Sequence, residues 1–153
     1  MTDLPVIAEG QLATGERWSL QAGGTSRDFY TFLETVRPDG SRDSGGMGGP
    51  PLYAGSLLNI YTGGSGHGLR RVLVRADPAV ATVRVNLAGE EPAILRPVAE
   101  RRDLGVVFFA ALLPRTAVVG SVTALDEAGH ELEQPDLSRH EEGWRRFRRR
   151  PRP

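Results

Sequence analysis

In several segments of this chain, apolar side chains recur at every second residue, and this alternation limits what the chain can fold into. It is clearest in residues 81–87, where Ala81, Val83, Val85 and Leu87 fall on one side and polar residues on the other. Side chains of a strand point alternately to opposite faces. The pattern therefore predicts an antiparallel strand with one face in a core and the other in water.

Similar runs of β-forming residues are separated by turns that contain glycine or proline, such as residues 38–40. The predicted strands cover residues 6–9, 18–20, 29–36, 57–62, 69–75, 81–87, 93–98, 104–113, 118–125 and 131–133. This pattern predicts an all-β fold, a two-sheet antiparallel β-sandwich, with a small β-barrel as the alternative. The expected core is Trp18, Phe32, Leu58, Ile60, Val72, Val74, Val83, Val85, Phe108, Ala110, Val122 and Leu125.

The segment 104–113 is the most apolar in the chain, so periodicity alone does not separate a buried helix from a strand buried on both faces. Gly105 and Pro114 limit the run to the length of a strand, and residues 106–109 are β-forming types. We therefore predict a central strand here.

Composition excludes several classes of protein. The length of 153 residues fits one domain. The chain has no Cys, which excludes disulfides and thiolate metal sites, and no Lys, so its permanent cations are all arginines. No apolar run approaches the ~18–20 residues of a membrane helix, and the first residues do not resemble a secretory signal. We expect a soluble, cytoplasmic protein without cofactor or metal.

Charge is divided unevenly along the chain. Residues 136–153 carry seven Arg and three acidic residues, a net charge of +4, whereas residues 1–135 carry a net charge of −4. Such asymmetry indicates an interaction tail, or a tail that folds back on an acidic body. We divide the chain into a β-sandwich domain, residues 1–135, and an Arg-rich amphipathic tail, residues 136–153.

The tail contains the signals of a short helix. Ser138 and Glu141 match a capping box, which predicts a basic helix from about residue 139 to 149. Such a helix is too short to be stable alone in water, so its aromatic face must dock on this protein or on a partner. The expected partner-binding residues are Trp144, Arg145, Arg146, Phe147, Arg148, Arg149 and Arg150.

A glycine-rich loop is predicted over residues 40–68, which hold ten of the nineteen glycines. It matches no phosphate-binding motif, because no lysine is present and strand-forming residues follow it instead of a helix. We interpret it as a flexible connector or, since long loops carry binding surfaces, as a contact surface. In the second case Met47, Tyr53 and His67 are the expected contacts.

Residues that carry chemistry are scarce. Ser65 and His67 lie in a glycine-rich loop and lack the strand–elbow–helix context of a catalytic nucleophile. His130 lies in a predicted turn next to acidic residues of the kind that usually face solvent, and the sequence around it has no metal-ligand pattern. We predict no catalytic residues and no metal ligands.

Parts of the second half resemble uncharacterised small β-rich proteins of actinobacteria. The resemblance lies in VRADPAVATVRV at residues 74–85, FFAALLP at 108–114 and SVTALDEAG at 121–129, with GERWSL at 15–20 similar to an opening strand. It spans about 60 of the 153 residues. It implies an all-β, sandwich-like module and no activity.

We therefore expect a non-enzymatic accessory protein that docks on another macromolecule, with a protein as the expected partner. The first alternative is nucleic-acid binding through the arginine tail, because arginines interleaved with aromatic residues suit phosphate contacts and base stacking. The lesser alternative is an enzyme that uses the loop around His67.

Overall fold

In the computed structural model, residues 4–64, 68–135 and 137 are described, and they form twelve strands and one 3₁₀ turn at Arg102–Leu104. The strands are β1 (Val6–Gln11), β2 (Arg17–Gly24), β3 (Phe29–Val36), β4 (Arg42–Met47), β5 (Leu58–Gly63), β6 (Arg70–Ala76), β7 (Thr82–Leu87), β8 (Ala93–Leu95), β9 (Ala99–Arg101), β10 (Val106–Leu113), β11 (Val119–Leu125) and β12 (Glu131–Glu133).

The strands form three antiparallel sheets of four. The N-terminal sheet has the order β1-β2-β3-β4, the central sheet β5-β6-β10-β9 and the C-terminal sheet β12-β11-β7-β8. The predicted all-β class is confirmed. The predicted number of two sheets is wrong, and none of the three sheets closes into the alternative barrel.

Two apolar layers join these sheets. Leu20, Phe29 and Leu33 of the N-terminal sheet pack on Leu73 and Phe108 of the central sheet. On the opposite face of the central sheet, a second cluster joins it to the C-terminal sheet through Val72, Val74, Phe109, Val83, Val85 and Val122. The central sheet is thus covered on both faces, which explains why every residue of β6 is buried.

The prediction of a central strand at residues 104–113 is confirmed. β10 lies between β6 and β9 in the middle layer, after a 3₁₀ turn that ends at Gly105 with a left-handed backbone. The prediction of a glycine-rich loop over residues 40–68 is corrected, because this segment contains β4, which was not predicted, as well as the whole of β5, which matches the predicted strand at 57–62. Glycines at 45 and 63 make this possible: a Cβ atom on either would lie 2.3 Å from the Tyr61 hydroxyl between the sheets.

Two residues of the expected core lie elsewhere. β3 turns Phe29, Thr31 and Leu33 inward, so Phe32 faces the outer side of the N-terminal sheet. Leu125 is only half-buried and belongs to neither cluster. The predicted C-terminal helix lies outside the described residues, and Leu137 is the one residue of the predicted tail that the structure describes.

Candidate functional site

Strand β6 carries three buried arginines: Arg70, Arg71 and Arg75, each at most 3% exposed. Alternation sends Arg71 and Arg75 towards the N-terminal sheet and Arg70 towards the opposite side. Arg70 Nη1 donates to the Ala117 carbonyl at 2.9 Å, and Arg71 Nη2 donates to Thr35 Oγ1 at 3.3 Å. Arginine is rarely fully buried unless its charge is paired, so these side chains are the first candidates for a role beyond filling the core.

Arg75 is held almost entirely by neutral oxygens. Its Nε donates to Thr31 Oγ1 at 3.0 Å, Nη1 to Pro50 O at 2.9 Å, and Nη2 to Phe29 O at 3.0 Å and Met47 O at 2.9 Å. Its guanidinium carbon lies 5.1 Å from the centre of the Phe29 ring. Within the described part of the chain, no carboxylate is bonded to Arg75. The guanidinium therefore acts as a multiple donor rather than as one half of an ion pair.

The bonds of Arg75 fix a loop. Met47, Gly48 and Pro50 all direct their carbonyls to its guanidinium, the Gly48 oxygen at the longer distance of 3.4 Å. The remaining carbonyl, that of Gly49, accepts from Phe29 N at 2.8 Å. Four consecutive main-chain carbonyls are thus bonded to two residues, and an irregular segment obtains the hydrogen bonds that a strand would obtain from its neighbour.

Burial sets the electrostatics of this loop. It lowers the pKa of Arg75 to about 10, and the nearby Tyr53 acts weakly in the opposite direction. The side chain remains a cation at neutral pH. A buried cation loses its hydration, so the oxygens that surround it cannot move away without a large cost in free energy.

Two exposed tyrosines flank the fixed loop. A Cβ atom on Gly48 would lie 3.0 Å from Tyr30 Cε1, and one on Gly49 would lie 3.3 Å from the Tyr53 hydroxyl. Gly49 also has a φ of 81°, which favours glycine. Tyr30 is 39% exposed and Tyr53 57% exposed. We call Tyr30, Gly48, Gly49 and Tyr53 the tyrosine patch.

The predicted loop contacts have three different outcomes. Tyr53 lies in the tyrosine patch, whereas Met47 is half-buried and packs against the core, contributing its carbonyl to Arg75. His67 lies outside the described residues, as do the seven tail residues that were expected to bind a partner, 144–150. Tyr30 and Arg75 were not among the predicted site residues. In the sequence both look like ordinary members of predicted strands, at 29–36 and 69–75.

The outer face of the N-terminal sheet forms an open groove of about 470 Å³. Its polar side chains lie in two rows across the strands, Glu9–Ser19–Glu34 and Gln11–Arg17–Arg42. Arg42 bonds Glu34 at 3.0 Å, and Ser19 accepts from Gln21. Within the described residues, the side chains of Glu9, Gln11 and Arg17 make no hydrogen bond or ion pair.

The outer face of the C-terminal sheet is different, because its polar side chains bond one another. Asn86 Nδ2 donates to Ser121 Oγ at 2.8 Å and to Thr123 Oγ1 at 2.9 Å. Arg84 donates to Asn86 Oδ1 at 3.0 Å and bonds Glu131 at 3.2 Å. This face has few free groups to offer a ligand.

The described residues hold no group of three His, Asp or Glu side chains that could bind a metal ion. The ring of His130 lies 3.3 Å from the Asp126 carboxylate in an exposed turn. None of the helical segments in this part of the chain is long and apolar enough to cross a membrane.

No protein-family model matches this chain, and no curated protein or solved structure is detectably similar to it. The function must therefore be argued from the geometry of the chain itself.

Proposed function

We propose that this protein is a non-enzymatic binding protein that docks on a protein partner through the tyrosine patch. The observation that carries the proposal is the bonding of four consecutive carbonyls, residues 47–50, to Arg75 and Phe29. A loop held in one conformation loses little entropy when a partner binds, which raises affinity.

The residues on this loop suit a protein partner. Tyrosine combines a large apolar ring with a hydroxyl and few rotatable bonds, and it is enriched at protein interfaces. Glycines beside it allow the partner's backbone to approach closely. The Tyr30 hydroxyl already bonds the Asp28 carboxylate at 2.9 Å, an interaction that raises its pKa, so the ring is held in place before binding.

The test compares two variants of the full chain. One variant replaces both Tyr30 and Tyr53 with Ser. The matched control replaces Ile94 with Ser, because Ile94 is 53% exposed on the outer face of the C-terminal sheet. Proteins captured from a lysate of the source organism are quantified, and each candidate is then purified and its Kd measured directly. We expect at least one direct partner whose affinity falls about 10-fold or more in the tyrosine variant, as for interface hot spots.

The control should leave that affinity within about threefold, a change of less than 1 kcal/mol. Direct partners that bind the tyrosine variant as well as the unchanged protein would contradict the proposal. So would the failure of every captured protein to bind the purified chain.

A second candidate function is nucleic-acid binding, which the net charge of +4 in residues 136–153 favours. It predicts retardation of DNA or RNA in a gel, with a log–log salt slope of about four to six if most tail arginines contact phosphate. Replacing the five arginines 145, 146, 148, 149 and 150 with Gln should abolish the retardation. No retardation at low salt would exclude this function.

A further inference from the structure

We propose that the free edge of β1 is a strand-addition site for an extended peptide that carries an acidic and a basic side chain two residues apart. The site is distinct from the tyrosine patch and does not depend on its function. It combines an unpaired main-chain edge with the two rows of charge on the outer face of the N-terminal sheet.

The hydrogen bonds of β1 define the edge. Leu12 N donates to Glu16 O at 2.8 Å, so residue 12 faces β2. In an antiparallel pair, successive residues point their main-chain groups alternately towards and away from the partner strand. The N–H and C=O groups of Gln11 and Glu9 therefore point away from β2. Among the described residues, neither N–H has an acceptor.

The other sheet edges are less suitable. β8, β9 and β12 have only three residues each, whereas β1 has six. β4 lies against β5, and Leu137 lines a cavity on β5 together with Ile60 and Thr62. A long strand edge with unpaired main-chain groups is the surface to which extended peptides add a further strand.

The charges specify what the added strand should carry. The side chains of Glu9 and Gln11 lie on the outer face, two residues apart, and Arg17 stands beside Gln11 on β2. An added strand has the same two-residue spacing of about 6.8 Å on each face. A basic side chain opposite Glu9 and an acidic one opposite Gln11, within reach of Arg17, would complement these rows.

The direction of the peptide follows from the sheet. All neighbouring strands in the N-terminal sheet are antiparallel, and antiparallel pairing is slightly more stable per residue. In that direction the acidic residue precedes the basic one. The probe is therefore acetyl-Thr-Val-Asp-Thr-Lys-Val-Thr-amide, and the comparison peptide exchanges Asp and Lys.

Binding is followed by NMR of the isotope-labelled full chain. We expect the amide signals of residues 9 and 11 to shift, with a Kd of about 0.1–1 mM, because a short flexible peptide loses much entropy on binding. Glu9→Lys should weaken binding of the probe by up to about fivefold and improve binding of the exchanged peptide.

Gln11→Pro removes one outward N–H without breaking a bond to β2 and should weaken binding about 5–10-fold, with Gln11→Ala as the matched control. If the proline variant unfolds, a probe N-methylated at Asp, the residue opposite Gln11 whose N–H faces β1, tests the edge without changing the protein. Unchanged β1 amide signals up to about 5 mM probe, several times the expected Kd, would overturn the proposal. So would equal binding of the methylated and unmethylated probes.

Discussion

The two outer sheets of this protein cover the same central sheet but differ in how their polar groups are satisfied. On the C-terminal sheet, the outward polar side chains bond one another, with Asn86 at the centre. On the N-terminal sheet, Glu9, Gln11 and Arg17 have no such partners within the described residues, and a groove opens above them. A surface that satisfies its own hydrogen bonds stabilises the fold, whereas one that does not can bind something else.

The layers beneath the two outer sheets differ in the opposite way, because the layer beneath the N-terminal sheet has more buried polar side chains. The layer beneath Val83, Val85 and Val122 is apolar apart from Arg70 at the start of β6, which donates to the Ala117 carbonyl. The layer beneath the N-terminal sheet also contains buried Arg71 and Arg75, which donate to Thr35, Thr31 and main-chain carbonyls. A polar layer with specific geometry fixes the position of the sheet above it, and with it the loop at residues 47–50.

The largest expected effect breaks this inner contrast. Arg75→Met should lower the free energy of unfolding by about 3–5 kcal/mol, because four carbonyls and the Thr31 hydroxyl lose their donor in a buried place. Arg84→Met, on the outer face of the C-terminal sheet, is the control for the loss of an arginine outside the inner layers and should cost about 1 kcal/mol or less. Urea unfolding monitored by Trp fluorescence measures both, and equal losses would contradict the contrast.

If Arg75→Met fails to fold, Thr31→Val offers a milder change. It removes one acceptor, at a cost of about 1 kcal/mol. Hydrogen exchange should then quicken at Phe29 N, whose bond to Gly49 O closes the loop, and not in β7.

The next effect concerns the outer faces. Asn86→Ala should cost about 1–3 kcal/mol, because the half-buried Ser121 and the fully buried Thr123 lose a donor and Arg84 loses an acceptor. Gln11→Ala on the N-terminal sheet should stay within about 0.5 kcal/mol, since its side chain has no partner to leave behind. A clearly larger loss of unfolding free energy in Gln11→Ala would show that the Gln11 side chain does have a bonding partner.

A smaller effect distinguishes a network from a row of independent charges. Arg84→Ala and Asn86→Ala should be non-additive by at least about 0.5 kcal/mol, as for residues that share hydrogen bonds. Glu9→Ala and Arg17→Ala should add within about 0.3–0.5 kcal/mol, since neither bonds the other. Double-mutant cycles by urea unfolding measure both couplings. A strong coupling between Glu9 and Arg17 would show that these two side chains pair with each other and are not free charges in the groove.

Most strands were predictable because alternation and turn residues are local properties. The number of layers was predictable in principle as well. The run at 106–113 indicates a strand buried on both faces, which in an all-β protein requires a sheet above and a sheet below. The prediction of two sheets did not draw this consequence, and arginine is a residue type that is rarely found in a core, as Arg71 and Arg75 are. Sequence alone does not show that carbonyls of a distant loop solvate a guanidinium.

The candidate site was predictable only in part. Tyr53 was named as an expected contact because it lies in a long glycine-rich segment, whereas Tyr30 was counted as one residue of a strand. What joins them is the loop geometry at Gly48 and Gly49, together with contacts to Arg75 from residues more than twenty positions away. Such long-range contacts leave no local periodicity.

The smallest expected effect compares two hairpin turns, one in each outer sheet. Asp39 between β3 and β4 accepts from the Ser41 hydroxyl and main-chain N, which lowers its pKa. Asp126 between β11 and β12 accepts from the His130 and Ala128 main-chain N–H groups, which lowers its pKa too.

Because folding depresses both pKa values, the stability that these bonds supply is complete above the unfolded-state pKa of about 3.9 and is lost as the pH falls through the folded-state values. Thermal unfolding between about pH 2 and 5 should therefore depend less steeply on pH in Asp39→Asn and in Asp126→Asn than in the unchanged protein. Both turns are exposed, so the two slopes should change by similar small amounts. A clear difference would mean that the outer sheets differ in their turns as well as in their faces, and an unchanged slope in both would contradict the assignment of the lowered pKa values to these bonds.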